Sequence, residues 1–292
     1  MKLGSIPSLV ALLALALAGC PAGGESQPAG AAPKELEIAY VTWADAVATS
    51  HVAKALLEEL GYEVKLTAVQ AGIMWQAVAD GKADALVAGW LPTLHGEYLE
   101  RAGDAVRDLG PNLVGTQLGL AVPAYVDVTS IAELADPAVA EKLDGQIVGI
   151  DAGAGLMAQT TEAIERYGLS GLELVNSSGP AMTAALGDAI EDQRWIVVTA
   201  WRPHWKFSRW DLRFLDDPEG VYGTAEEIHT VVRAGLAGER PDAERLLDRF
   251  QWDPADVEQV MAWNTEDGAD PDETARRWVA ANRERVDAWL AP

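Results

Sequence analysis

Hydrophobic and polar positions vary along the chain with periods that predict strands and amphipathic helices in turn. The segment ELEIAYVTW (35–43) has the pattern of a strand, and AVATSHVAKALLEELGY (46–62) has that of a helix. A second strand over 63–70, a helix over 72–82 and a strand over 83–90 follow. Strands that alternate with helices in this way predict a parallel sheet with crossover helices.

The same alternation restarts in the middle of the chain and predicts a second sheet. Helices over 130–143, 155–168 and 180–192 separate strands over 145–151, 172–176 and 195–201, and EEIHTVV (226–232) is a further strand before a mostly helical end. We therefore predict an α/β fold with two lobes of the periplasmic-binding-protein (Venus-flytrap) kind, type II-like, with a hinge between the lobes. Lobe I is predicted from 35–123 plus 223–292, and lobe II from 124–222.

The N-terminus has the pattern of an export signal. Residues 1–20, MKLGSIPSLVALLALALAGC, carry one Lys, a short apolar run and small residues that end at Cys20, the single cysteine. The ending LAGC resembles the lipobox of bacterial lipoproteins, in which the cysteine is lipidated. Residues 21–34 are rich in Gly, Pro and Ala and predict a flexible tether. We expect an exported protein, in the periplasm or at the cell surface, held at a membrane by Cys20.

Composition and motifs exclude several classes of function. The formal net charge of −23, from 22 Lys and Arg against 45 Asp and Glu, argues against a nucleic-acid partner. The sequence has no HExxH, GxSxG or Walker motif and no paired Cys, and its four His residues lack metal-ligand spacing. We therefore expect neither an enzyme nor a metal or other cofactor.

One motif competes with that expectation. Gly153, Gly155 and Ala158 make GxGxxA at the start of a predicted helix, and Glu173 follows about twenty residues later, as in a dinucleotide-binding fold. Glu173 lies inside its predicted strand, however, and an exported protein has no nicotinamide pool. A Gly-rich turn into a helix also presents free N–H groups to a small anion such as a carboxylate, or it serves as a tight turn only.

Tryptophans stand where predicted strands end. The chain holds 11 Trp but 3 Phe, and Trp43, Trp90 and Trp201 each lie at or just past the end of an inner strand, two in one lobe and one in the other. A single Trp at such a place more often packs in the core. Three that share the position predict an aromatic cage for a quaternary ammonium, which ring quadrupoles hold at about 2 kcal/mol for each well-desolvated ring.

Several stretches resemble one family. The segments YVTWAD, GIMWQAVADGKADALVAGWLPTLH, GIDAGAGLM, TAWRPHWKFSRWDLRFLDDP and AEEIHTVVRAGL are similar to glycine betaine binding proteins of ABC-transporter osmoprotectant uptake systems, and more distantly to choline-binding relatives. The resemblance runs over nearly all of the mature chain. It implies a solute-binding protein that closes on its ligand and delivers it to ABC permease subunits in the membrane.

The resemblance also implies site residues. It assigns the three-Trp cage to Trp43, Trp90 and Trp201, and the carboxylate site to the backbone N–H groups of Gly155 and Leu156 with the side chain of His95. Asp45 stands where choline-binding relatives place an acidic residue for the choline hydroxyl, but Leu118 replaces their fourth cage aromatic, and those relatives lack a residue like His95. Glycine betaine is therefore favoured, and choline is the alternative ligand.

Overall fold

The computed structural model describes residues 34–223 and 226–292. The predicted signal peptide, Cys20 and residues 21–33 of the predicted tether lie outside the described residues, whereas Lys34 already begins the first strand. Within the described ranges, no helix has both the length and the apolar character needed to cross a bilayer.

The elements alternate as the hydrophobic pattern predicts. The strands are β1 (Lys34–Tyr40), β2 (Tyr62–Ala68), β3 (Ala85–Leu91), β4 (Val106–Leu113), β5 (Gln117–Pro123), β6 (Gln146–Val148), β7 (Glu173–Val175), β8 (Val198–Arg202), β9 (Leu212–Phe214) and β10 (Glu227–Arg233). The helices are α1 (Ala44–Glu59), α2 (Ala71–Ala79), α3 (Gly96–Ala102), α4 (Pro137–Lys142), α5 (Gly155–Arg166), α6 (Gly179–Glu191), α7 (Lys206–Arg209), α8 (Leu236–Glu239), α9 (Pro241–Arg249), α10 (Pro254–Trp263), α11 (Pro271–Ala281) and α12 (Arg283–Leu290). Short 3₁₀ helices span Gly103–Ala105 and Ile131–Ala135.

The strands form two five-stranded sheets of the same design. One sheet has the order β2-β1-β3-β10-β4 and the other β7-β6-β8-β5-β9. In each, three parallel strands are followed by a strand that arrives from the other lobe and pairs antiparallel to its neighbours. The prediction of a parallel sheet was therefore wrong for one strand of each sheet, β10 and β5, because residue periodicity does not reveal which way a neighbouring strand runs.

The lobe boundary also differs from the sequence-based one. Residues 117–123 were predicted to close lobe I, but β5 pairs with β8 and β9 and so belongs to the sheet of lobe II. The chain leaves the first sheet after Leu113 and joins the second at Gln117. On the return, Tyr222 donates a hydrogen bond from its hydroxyl to Thr160 of α5, so it lies with lobe II.

The C-terminal helices pack on lobe I and contain much of the aromatic core. Helices α10 and α11 lie against α1, and Phe250, Trp252, Trp278 and Trp289 are buried there in mutual edge and stacking contacts. These tryptophans fill a hydrophobic interior, which distinguishes them from the indoles at the strand ends. The α10–α11 pair gives α1 a rigid support, and the N-terminus of α1 carries part of the site.

Candidate functional site

A cavity between the two sheets is lined by residues from both lobes. Its volume is about 20 Å³, so the hollow is small and closely bounded by its lining residues. The lining residues are Trp43, Trp90, Leu94, Leu118, Ile150, Ala154, Gly155, Leu156 and Trp201. The three strand-end tryptophans therefore meet at one hollow and do not point into separate cores.

The position of each tryptophan follows from its strand. Trp90 lies in β3 and Trp201 in β8, the equivalent strands of the two sheets, while Trp43 follows β1 and is the N-cap of α1. Each is less than a tenth exposed. Ligands of α/β sheets bind at the carboxyl ends of the strands, and here those ends face one another.

Two indole N–H groups donate across the cleft. Trp43 Nε1 donates to Asp151 Oδ2 at 3.0 Å, and Trp201 Nε1 donates to Asp45 Oδ1 at 2.9 Å. Each bond joins a tryptophan of one lobe to an aspartate of the other, so both exist only when the lobes are closed. Asp151 follows β6 as Trp43 follows β1, and that shared position in the sequence could have identified it.

Asp45 is fully buried and touches the cage from behind. It is not a lining residue of the cavity, and its Oδ2 has no hydrogen-bond partner within 34–223 and 226–292. Burial raises the pKa of Asp45 to about 6, against the opposing effects of the indole N–H groups of Trp201 and Trp90. The Asp45 carboxylate therefore accepts a hydrogen bond from one cavity tryptophan, Trp201, and lies near the indole N–H of a second, Trp90.

His95 is a buried residue beside Trp43, one of the cavity tryptophans. Its Nδ1 accepts from the backbone N–H of Trp90 at 3.0 Å, so the ring proton is on Nε2. Burial lowers the pKa of His95 to about 3, which keeps the ring neutral at pH 7. Its Nε2 has no partner among the described residues, and the ring lies 5.9 Å from that of Trp43. His95 itself does not line the cavity.

The Gly-rich turn lies against lobe I. Gly155 and Leu156 are the first two residues of α5, where backbone N–H groups have no intrahelical acceptor. Both residues line the cavity. A Cβ on Gly155 would come within 2.8 Å of Leu94 Cα and Cβ, and closer still to the Leu94 carbonyl oxygen. Glycine is therefore required at this position by the close approach of the two lobes, not by its backbone angles.

Tyr98 closes the cleft beside that turn and was not predicted. Its hydroxyl donates to the Gly153 carbonyl oxygen at 3.0 Å, and its ring stacks on Trp75. It lies in the short helix α3, to which no element was assigned from the sequence. Leu118, predicted to replace a cage aromatic, does line the cavity and pairs with Trp201 across β5 and β8.

The dinucleotide alternative does not fit this geometry. Glu173 is the first residue of β7 and pairs with Gln146, the first residue of β6. Glu173 therefore lies at the amino end of these parallel strands, whereas the glycine turn follows the carboxyl end of β6. It is at the wrong end of the sheet to contact a ribose bound at that turn. Among the described residues, no group of His, Cys, Asp and Glu side chains has the arrangement of a metal site.

Comparison with known proteins assigns the chain to a family. Residues 34–281 match the OpuAC family model, described as the substrate binding domain of an ABC-type glycine betaine transport system. The chain belongs to this family. A two-lobed α/β fold, with the cleft between the lobes, is the architecture of solved OpuAC structures.

Individual relatives agree with that assignment. The glycine betaine/carnitine transport binding protein GbuC of Listeria monocytogenes is 48% identical over 151 residues, which is 51% of this chain and 50% of that protein. The match thus spans half the length of this relative. Lactococcal OpuAC, solved closed with glycine betaine, is 41% identical with a TM-score of 0.82, covering 88% of this chain and 99% of its own. A choline binding protein in complex with choline is 28% identical, TM-score 0.81, covering 88% and 92%.

Proposed function

We propose that this chain is the extracytoplasmic solute-binding protein of an ABC importer and that it binds glycine betaine or a closely related quaternary ammonium compound. The observation that carries the proposal is the cavity in which Trp43, Trp90 and Trp201 meet from both lobes. A trimethylammonium group donates no classical hydrogen bond and is held by indole faces. Three such faces around one hollow suit a methylated ammonium, because it needs no hydrogen-bond acceptor.

The other end of the cavity suits a carboxylate. The N–H groups at the start of α5 carry the positive end of the helix dipole, and the neutral imidazole of His95 offers its Nε2–H. Such donors suit a ligand that has an acidic end. The proposal therefore assigns the carboxylate to Gly155, Leu156 and His95, and the methylated nitrogen to the tryptophans.

Choline is the second candidate, because a choline-binding structure is among the relatives. A choline site needs an acceptor for the ligand hydroxyl, and Asp45 is the acidic residue predicted for it. In this structure Asp45 accepts from Trp201 and is not part of the cavity lining. That placement favours betaine over choline as the preferred ligand.

Capture and delivery follow from the two-lobed design. Three hydrogen bonds cross the cleft, from Trp43, Trp201 and Tyr98, and they stabilise the closed state. A ligand that contacts both lobes binds the closed state better than the open one, so its binding shifts the protein toward closure. We assign the protein to transport and not to catalysis, with ABC permease subunits as partners. We further propose export by residues 1–20 and attachment to the membrane through a lipid on Cys20.

Calorimetric titration tests this function. We expect glycine betaine to bind with micromolar or tighter affinity, with carnitine, proline betaine and choline binding more weakly. Trp90→Ala should weaken binding by at least about 30-fold, since one desolvated ring contributes about 2 kcal/mol. Trp195→Ala is the matched control, because Trp195 is partly exposed and lies under Lys142, outside the cavity.

The outcomes separate the alternatives. If none of the four compounds binds, the proposed function is wrong. If choline binds best, Asp45 acts on the ligand hydroxyl and the assignment of His95 is wrong. Mass analysis of the recovered ligand should find it unchanged, and a modified product would instead indicate an enzyme.

A further inference from the structure

The cage has a buried cation of its own. Lys206, the first residue of α7, is fully buried, and its Nζ has no hydrogen-bond partner in the described part of the chain. Lysine is almost never fully buried unless its charge is paired. An unpaired ammonium in the interior of a binding protein therefore calls for a physical role.

Lys206 lies against a ring of the ligand cage. Its Nζ is 4.3 Å from the centroid of the Trp201 ring, within the range of a cation–π contact. Lys206 does not line the cavity between the sheets, whereas Trp201 does. The ammonium and the cavity therefore both adjoin the Trp201 ring.

Three charged or titratable side chains lie near Lys206, and they belong to Asp45, His204 and Arg202. Asp45 of α1, in the other lobe, accepts from the Trp201 indole and raises the pKa of Lys206 by its charge. His204 accepts from the backbone N–H of Lys206 at its Nδ1, and burial keeps the pKa of His204 well below its usual value, so this ring is neutral. Arg202, which is exposed, stacks on Phe207 at 4.2 Å.

The net effect of burial and of Asp45 brings the lysine into the physiological range. Burial lowers the pKa of Lys206 to about 7, and the charge of Asp45 opposes that shift only in part. Near neutral pH the side chain is therefore divided between its charged and neutral forms. A second positive charge against the Trp201 ring favours the neutral form, because like charges at short range disfavour protonation.

We propose that Lys206 couples ligand binding to the release of a proton: the ammonium against Trp201 and the quaternary ammonium in the cage compete for one indole, so Lys206 loses its proton to solvent as the ligand enters. The ligand charge is fixed, and the lysine is the partner that can change. The proposal rests on the proposed function, because it requires a cationic ligand in the cage. In this role Lys206 acts on the ligand through Trp201, and its change of charge makes ligand affinity depend on pH.

Titration calorimetry with glycine betaine measures the proton directly. The heat of binding at pH 7.0 is measured in phosphate and in Tris, which differ in heat of ionisation, and the difference gives the protons released per ligand. We expect a release of several tenths of a proton. We also expect the dissociation constant to rise as pH falls from 8 to 7, where Asp45 stays ionised, by at most about tenfold for one linked proton.

Two variants isolate the lysine. Lys206→Met removes the charge at similar length, so the variant should release no proton at pH 7 to 8 and should bind more tightly than wild type at pH 6. Lys206→Arg keeps the charge permanently and should bind weakly throughout, again without release. Asp45, with a pKa of about 6, is unchanged in both variants and largely ionised at pH 7 to 8, so it does not account for the difference.

A readout without ligand supports the same assignment. Because the pKa of Lys206 is lower in the folded than in the unfolded chain, the unfolded chain binds more protons between about pH 7 and 10, and stability rises with pH there. Lys206→Met should abolish that dependence and should melt above wild type at pH 6.

Each outcome decides one of the two proposals. Binding with a heat that does not depend on the buffer, and an identical pH profile for Lys206→Met, would overturn the role of Lys206 and leave the proposed function intact. Absence of binding by wild type would overturn the proposed function itself. If neither variant folds, the wild-type comparison of buffers still decides, because a heat independent of the buffer contradicts proton release.

Discussion

Two tryptophan–aspartate pairs cross the cleft, and they differ in their access to water. Trp201 donates to Asp45, which is fully buried, and Trp43 donates to Asp151, which is partly exposed. The two bonds have nearly the same length, 2.9 and 3.0 Å. In each pair the indole belongs to one lobe and the carboxylate to the other, so the pairs have the same chemistry in different surroundings.

The surroundings decide what each pair contributes. Burial raises the pKa of Asp45 to about 6, because the hydrogen-bond donors around the carboxylate do not fully replace the water that its charged form loses. Water reaches Asp151 and can replace the indole when the cleft opens, so its bond adds little net free energy. We infer that the buried pair orients the cage and sets affinity, while the partly exposed pair mainly accompanies closure.

Both pairs depend on closure, and Gly155→Ala should break both at once. The added Cβ collides with the backbone of Leu94 in the closed form, and that collision is absent when the lobes are apart. Overpacking of this kind costs about 1 to 3 kcal/mol, so we expect glycine betaine to bind up to about a hundredfold more weakly by calorimetry. The melting temperature of the ligand-free protein should not change.

Gly153→Ala is the control in the same turn, since a Cβ there meets no atom within 4 Å among the described residues. It should bind like wild type. Equal losses in the two alanine variants would mean that the turn needs glycine for its own backbone and not for contact with Leu94.

Asp45→Asn tests what the charge of Asp45 contributes to the buried pair. The amide oxygen still accepts from Trp201, but the charge is gone. Since a hydrogen bond to a charged group exceeds a neutral one by about 1 to 1.5 kcal/mol, binding should weaken about tenfold. The folded pKa of Asp45 lies above its unfolded value, so its ionised form disfavours folding at pH 7 and the variant should melt no lower than wild type.

The same carboxylate gives binding a pH dependence. As pH falls from 7 to 5 through the pKa of about 6, Asp45 takes up a proton, so wild type should approach the affinity of Asp45→Asn. Lys206→Met provides the background for this titration, since it removes the other group that changes charge nearby. A constant ratio of affinities between pH 7 and 5 would show that the charge of Asp45 plays no part.

Much of this molecule could be predicted from local pattern, and the unpredicted features depend on distant contacts. The repeat of hydrophobic positions that predicts β1, α1 and β3 depends only on residues close together in the sequence. The position of a tryptophan at a strand end can be predicted in the same way. The contact of Asp45 with Trp201 joins residues 156 positions apart, and nothing near Asp45 in the chain indicates that it serves an indole and not a ligand. Lysine is usually exposed, so the sequence around Lys206 does not indicate that the folded chain buries it.

Asp151→Asn tests the partly exposed pair and should have a smaller effect. Solvent already competes for this carboxylate, and the Asn oxygen keeps the bond to Trp43, so we expect glycine betaine to bind less than about threefold more weakly. The measurement is the same titration as for Asp45→Asn. An equal loss for the two variants would contradict the difference drawn here between the pairs.

Tyr98→Phe should have the smallest effect, because it removes one neutral hydrogen bond at the edge of the cleft. Its hydroxyl reaches the Gly153 carbonyl oxygen only when the lobes are closed, while the ring keeps its stacking on Trp75. A net contribution near 0.5 kcal/mol corresponds to about a twofold loss of affinity, which should appear as faster ligand dissociation in stopped-flow tryptophan fluorescence. The association rate should stay the same, since the bond forms after the ligand has entered. A slower association would instead mean that Tyr98 guides the ligand into the open cleft.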